Sequence, residues 1–268
     1  MVLPGPDSIL NVIFDRRSIR KFQDRSVPPS VLQKLLMAGT RAPFAAQLYS
    51  IIYVKDKEKI ATLRQELKIG IYPTTQLFML FCVDFNILEK VMEKRGYHNK
   101  ADDGMSLWLA VQDASLVAEN VILTAEHFGL GSVLLGAVPQ FADQISEEFK
   151  LPKRVFPVVG LCMGYPDPSA ETDVRPRYPL RNVAFEDVYK DLSDPEVEDS
   201  MREMDEGYLT QGYYIKLNAK VPLADGRPDS VGFDKYSWTE HISRKFAERP
   251  VKEPLLEILK RHGFRLEG

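Results

Sequence analysis

Apolar positions along this chain follow two periods, and their alternation lays out the elements. Gln76–Val83 is apolar with almost no alternation, which predicts a strand buried on both faces. Val155–Met163 repeats that pattern. Ser50–Lys55 reads as a β-branched strand, and Ser132–Leu135 as a short one ending at Gly136. Between these runs the period becomes helical. Ser8–Phe14 reads as a short helix. Val31, Leu32, Leu35, Leu36 and Ala38 form an apolar helical face that starts after Val27-Pro28-Pro29-Ser30 and ends at Gly39. A charged helix spans about Asp56 to Lys68, and a charged connection runs from Asp84 to Gly104.

Met105–Phe128 is the longest predicted helix. Its polar residues Gln112, Asp113, Glu119, Asn120 and Glu126 fall on one stripe of roughly 140°, at about 100° per residue. The remainder is apolar, so the helix belongs in a domain centre or a subunit interface. Phe141–Leu151 reads as an amphipathic helix. Gly164–Pro179 is proline-rich, and from Asp194 the composition becomes acidic, aromatic and mainly helical. That tail holds a helix over Pro195–Tyr208, a loop from Gly212 to Gly232, and helices near Trp238–Phe246 and Val251–His262. The expected organisation is a core of residues 1–193 and a helical extension of residues 194–268. Strands alternating with helices indicate an α/β or α+β architecture.

Composition narrows the function. The chain has 268 residues, 44% hydrophobic and 27% charged, with a net charge of −3, which argues against nucleic acid as the main partner. Local basic patches then serve small anions. Cys82 and Cys162 both sit in apolar strands and are expected as reduced thiols, neither a disulfide framework nor a metal site. No signal-peptide pattern opens at Met1–Pro6, and no apolar run reaches the roughly 18 residues of a membrane span, so a cytoplasmic protein with no membrane partner is expected. His98, His127, His241 and His262 lack ligand spacing, and no metal is expected. Gly129-Leu130-Gly131 opens a strand after a helix, the reverse of a dinucleotide fingerprint.

Two basic clusters remain. Arg16-Arg17-Ser18-Ile19-Arg20-Lys21-Phe22 is either a solvated turn or an anion site; arginine forks and a serine hydroxyl suit phosphate. Arg175-Pro176-Arg177 is either a surface loop or the second half of a phosphate clamp.

The order of elements around these clusters resembles the FMN-dependent nitroreductase family. Arg-x-Ser-x-Arg after helix one, a small-residue loop at Ala42–Gln47, and the long helix running into Gly129–Gly136 all match. So do Val158–Pro166 leading to Arg-x-Arg-x-Pro and, in the tail, Tyr208-Leu209-Thr210 and Trp238–Ile242. The tail is similar to the NADPH flavin reductase and oxygen-insensitive nitroreductase branch. The resemblance implies an α+β sandwich in an intertwined homodimer, with FMN at the subunit interface. It implies a ping-pong cycle in which hydride passes from NAD(P)H through flavin N5 to small aromatic oxidants, so no catalytic side chain is required. By position it implies Arg16 and Ser18 at the FMN phosphate or ribityl chain, with Arg17 between them as a further cofactor-binding residue, Arg20 at the flavin N1/O2 edge, and Arg175 and Arg177 closing on the phosphate. Pro43, Phe44, Ala45 and Gln47 would line the ring, and Leu134, Leu135 and Gly136 would offer backbone groups near N5.

The chain departs from that pattern in three places. Phe44, Ala45 and Ala46 stand where the branch is often serine-rich, Gln211 stands where an arginine grips the NADPH 2′-phosphate, and Ile69–Thr75 lacks an expected glutamine. Lys216, Lys220 and Arg227 are possible substitutes for that arginine. Besides a general reductase, a flavin-modifying or dehalogenating relative and a non-catalytic FMN- or nucleotide-binding dimer fit the sequence.

Overall fold

The computed structural model describes residues 9–100, 102–170, 172–223, 226–247 and 253–266. Packing divides the chain into two units, residues 1–172 with 253–268, and residues 173–252. The first unit is built on an antiparallel sheet ordered β1-β2-β4-β3, with β1 Tyr49–Val54, β2 Leu77–Asp84, β3 Gly131–Leu135 and β4 Val155–Gly164. Every residue of β2 is buried, as its unbroken apolar run requires. The pairing runs Ser50 opposite Cys82, Phe78 opposite Cys162, and Val133 opposite Cys162 on the other edge of β4. The two cysteines are free and buried.

Among the described residues six α-helices precede the second unit: α1 Ile9–Asp15, α2 Pro29–Gly39, α3 Lys57–Leu67, α4 Asn86–Lys94, α5 Gly104–His127 and α6 Ala142–Glu148. Residues 1–8, including the expected start of α1 at Ser8, lie outside the described residues. One face of the sheet packs on α3, with Ile60, Leu63 and Leu67 against Phe78 and Leu80. The other packs on α2 and α5, with Leu35, Val117, Val121 and Ile122 against Met79 and Phe81. The two-layer cover explains why β2 and β4 read as continuous apolar runs.

α4 lies within what the sequence presents as a charged connection. Glu89, Lys90, Glu93 and Lys94 mask the apolar Ile87, Leu88 and Val91 there. The expected helix over Phe141–Leu151 is shorter: a 3₁₀ turn takes Phe141 at its start, and it ends at Glu148, two residues before the left-handed Lys150 (φ +52°). The polar stripe of α5 also differs from a solvated face. Asp113 is 2% exposed and Asn120 donates to the Ala38 carbonyl, whereas Met105, Trp108, Val111 and Leu116 are exposed.

The second unit holds α7 Asp194–Thr210, α8 Tyr213–Leu217 and α9 Trp238–Ala247. α7 starts with a reciprocal Ser193–Glu196 capping box. α8 falls in the segment read as a loop. Tyr208, Tyr214 and Tyr236 form this unit's own aromatic core. The chain then returns to the first unit as α10, Leu255–Arg261. The start of the helix expected from Val251 is outside the described residues. Arg154 forks onto the buried Asp103 carboxylate, which also accepts the Arg265 amide at 2.7 Å, and Phe264 packs edge-on to Phe85 at 5.4 Å. The packing boundary at Thr172 precedes the compositional one at Asp194, since the second half of the proline-rich segment, from Asp173, groups with the helices that follow it.

Candidate functional site

Residues 16–23 are held beside β3 and the residues that follow β4 by two inward-facing side chains three positions apart. Ile19 and Phe22 are 4% and 2% exposed and belong to the core. Their burial turns Arg16, Arg20 and Lys21 away from it. The Ile19 amide donates to the Ser132 carbonyl at 2.9 Å, the Phe22 amide to Thr74 Oγ1 at 2.9 Å, and the Gln23 amide to the Tyr165 carbonyl at 2.8 Å. Ser18 forms a parallel bridge with Ser132 on β3, and Phe22 an antiparallel bridge with Pro166. This approach requires glycine twice. A Cβ on Gly131 would lie 2.4 Å from Ile19 Cγ1, and one on Gly164 would lie 2.8 Å from Phe22 Cβ.

Of the charged residues in the stretch, Arg17 donates to Thr172 Oγ1 and to the Asp15 carbonyl, both at 3.0 Å. Among the described residues, Arg20 reaches only the Ser18 carbonyl, at 3.4 Å. Glu126, near the end of α5, interacts electrostatically with Arg16 and Arg17. Burial pushes its carboxyl up to about 7 against the opposing pull of those two arginines. Glu126 Oε1 and the fully buried Ser132 Oγ have no hydrogen-bond partner among the described residues. The arginines and the Ser132 hydroxyl are donors suited to a phosphate-bearing group, whereas the Glu126 carboxyl can donate only when protonated.

The loop expected to line the flavin lies between two buried anchors, Ala42 and Leu48. Pro43, Phe44, Ala45, Ala46 and Gln47 between them are all exposed, Phe44 by 54%. Their backbone turns inward. The Asp113 carboxylate accepts the amides of Ala45 at 2.7 Å, Ala46 at 3.3 Å and Leu48 at 3.2 Å. Gln47 is left-handed, with φ +54°. On β3, Leu134 and Gly136 are exposed while the Leu135 side chain is buried. Leu135 can therefore serve a ligand only through its backbone.

Arg175 and Arg177 belong to the second unit. The Arg175 guanidinium lies 4.1 Å from the Tyr213 ring centroid, and Arg177 donates to the Arg175 and Pro176 carbonyls at 3.1 Å. Gln211 donates to the Val174 carbonyl at 2.8 Å. Lys220 pairs with Asp229 at 2.6 Å and Lys216 with Asp173 at 3.5 Å. A cleft of about 230 Å³ between α3 and the 72–76 turn, lined by Ile60, Arg64, Tyr72 and Gln76, contains none of the expected site residues. Among the described residues no cluster suits a metal ion, and no helix is long and apolar enough to cross a membrane.

Asp113, Glu126 and Ser132 were not singled out by sequence reasoning. Asp113 and Glu126 looked like members of a polar helical stripe, and Ser132 like an ordinary strand residue. The available signal was Asp113 between the small residues Ala110 and Ala114, a place where a helix packs closely and a carboxylate must find donors.

A buried antiparallel sheet sandwiched by helices, with an arginine stretch pinned to its edge strand, defines an α+β sandwich with a basic site at its edge. The sequence profile of the nitroreductase family matches residues 13–165, and the chain belongs to that family. It is 28% identical to an NADPH-flavin oxidoreductase of Vibrio harveyi over 93% of this chain and 96% of the relative. It is also 28% identical to an oxygen-insensitive NADPH nitroreductase of Salmonella typhimurium over 95% and 97%. Among solved structures, NfrA2 of B. megaterium superposes with a TM-score of 0.79 at 26% identity, covering 97% of this chain and 99% of that one. The NADPH:FMN oxidoreductase from Vibrio harveyi complexed with NAD⁺ superposes at 0.74 and 26%, covering 95% and 97%.

Proposed function

We propose that this protein is a homodimeric, cytoplasmic FMN oxidoreductase that uses NAD(P)H to reduce nitroaromatics, quinones or free flavin by a ping-pong cycle. The observation that carries this reading is the arginine stretch, with Ile19 and Phe22 in the core and Ser18 bridged to Ser132. The names of the full-length relatives support it. Arg16, Arg17 and Ser18 bind the cofactor's phosphate end, and Arg20 brings positive charge toward the ring. Pro43, Phe44 and Ala45 form an apolar wall with the polar Gln47 beside it, and Leu134–Gly136 offers backbone groups. Bound FMN supplies the hydride transfer, which explains why no side-chain acid or base is needed. Arg175 and Arg177 are assigned to the phosphate on sequence resemblance alone. Apolar Met105, Trp108 and Val111 on α5 and Ile13 and Phe14 on α1 are exposed in the single chain, a surface suited to a second copy.

The purified protein is expected to be yellow, to be bleached anaerobically by NADH or NADPH, and to recover its colour with menadione or nitrofurazone. Colourless protein that fails to bind added FMN overturns the proposal. A specialised relative is the second reading, favoured by the exposed Phe44 in an apolar loop and by Gln211 in place of arginine. That reading predicts a bleachable flavin that neither menadione nor nitrofurazone reoxidises.

A further inference from the structure

We infer that Asp113 is a positioning residue for the flavin pocket, fixing the Pro43–Gln47 loop from beneath and selecting which of its amides remain free for a ligand. The inference rests on the FMN oxidoreductase reading and adds a residue to it. Asp113 is 2% exposed and, among the described residues, makes no ion pair. A buried carboxylate without a cation must be stabilised by donors, and here all of the donors are amides of one loop. Ala45 approaches Oδ1, while Ala46 and Leu48 approach Oδ2.

The pattern skips Gln47. Its left-handed φ of +54° swings that amide out of the series, a conformation that costs a non-glycine residue on the order of 1 kcal/mol. Three bonds to a charged acceptor offset that strain. Five of the residues from Pro43 to Leu48 have an amide hydrogen, since proline has none. Asp113 takes three, and those of Phe44 and Gln47 have no partner among the described residues. The loop thus presents two amide donors and the Phe44 ring outward. Such donors match carbonyl or nitro oxygens, whether on the flavin's pyrimidine end or on an oxidant. The support is rigid: Ala110, Ala114 and Val117 hold this part of α5 in the core.

Asp113→Asn is the sensitive variant. Asparagine offers one acceptor oxygen, and its own amide hydrogens face the loop's donors. Losing one charge-assisted bond corresponds to about tenfold. Titration of the FMN-stripped variant should show FMN binding about tenfold weaker, and its bound flavin should have a displaced visible band. The KM for menadione should rise by a similar factor, with the rate of flavin reduction by NADH much less affected. Asp113→Glu should recover part of the affinity.

A second measurement needs no variant. In the wild-type holoprotein, amide-resolved NMR should show slow exchange for Ala45, Ala46 and Leu48. Phe44 and Gln47 should exchange quickly when FMN is stripped and slowly when it is restored. A yellow wild type in which Ala45 and Ala46 exchange as open-loop amides overturns the inference alone. So does an Asp113→Asn protein with unchanged affinity, spectrum and KM. A wild type that binds no FMN overturns the parent reading, and the inference with it.

Discussion

The Ile19 amide and the Ser132 carbonyl meet at 2.9 Å, and this bond joins the arginine stretch to the edge strand of the sheet. Ile19 is core, Ser132 is fully buried, and the charged residues on either side of Ile19 are left outside. The position of the basic groups is therefore set by apolar packing, and it depends on how closely residue 19 can approach β3.

Gly131→Ala tests that dependence. The new methyl would stand 2.4 Å from Ile19 Cγ1, so the segment or the strand must shift. Overpacking of this kind costs roughly 1–3 kcal/mol. Urea unfolding should show the loss, and FMN titration of the folded fraction should show weaker binding. Full affinity in a destabilised variant would separate the packing from the site.

Removal of single arginines measures the cofactor grip. Arg16→Ala and Arg20→Ala should each weaken FMN binding by about tenfold or more, the scale of one charge-assisted bond. Neither side chain supports the core, so the melting temperature of the FMN-stripped protein should barely change. Arg177→Ala, from the second unit, is assayed in the same way. A variant that stays fully yellow through gel filtration removes that arginine from the site.

The Glu126 carboxyl titrates near neutrality. Burial raises it from 4.5 to about 7, so its folded value exceeds its unfolded one. Protonation then favours the folded state, and this contribution is lost as pH rises from about 4.5 through 7. Glu126→Gln should match the wild type at pH 5 and melt at a higher temperature at pH 8 without FMN, as followed by circular dichroism. An equal offset at both pH values would contradict the assignment.

Gln211→Arg probes the electron donor. An arginine at this position would add a fork for a ribose phosphate in place of the Gln211 bond to the Val174 carbonyl. The ratio of kcat/KM for NADPH to that for NADH should rise about tenfold. No change in the ratio would place the donor's phosphate elsewhere.

Local pattern sufficed for the central strands and the long helix because their apolar runs are long: β2 is apolar up to its last residue, Asp84, β4 carries no charged residue, and α5 ends within a residue of its expected limits. It failed where the deciding partner is distant in sequence. Whether Asp113 is a solvated stripe residue or a buried anchor depends on a loop 65 or more positions away. The return of the C-terminal segment to the first unit depends on Arg154, Asp103 and Arg265, whose charges look like surface charges one at a time. The arginine cluster stood out by composition, but its anchoring through Ile19 and Phe22 required the sheet edge beside it.

Cys82 and Cys162 lie on the two central strands, both fully covered, and burial raises both thiols above their ordinary range. Neither can react until β2 and β4 separate from the layers above and below. Alkylation of the folded protein therefore keeps time with sheet opening. The same burial makes fold lifetime the limit on covalent damage to these sulfurs.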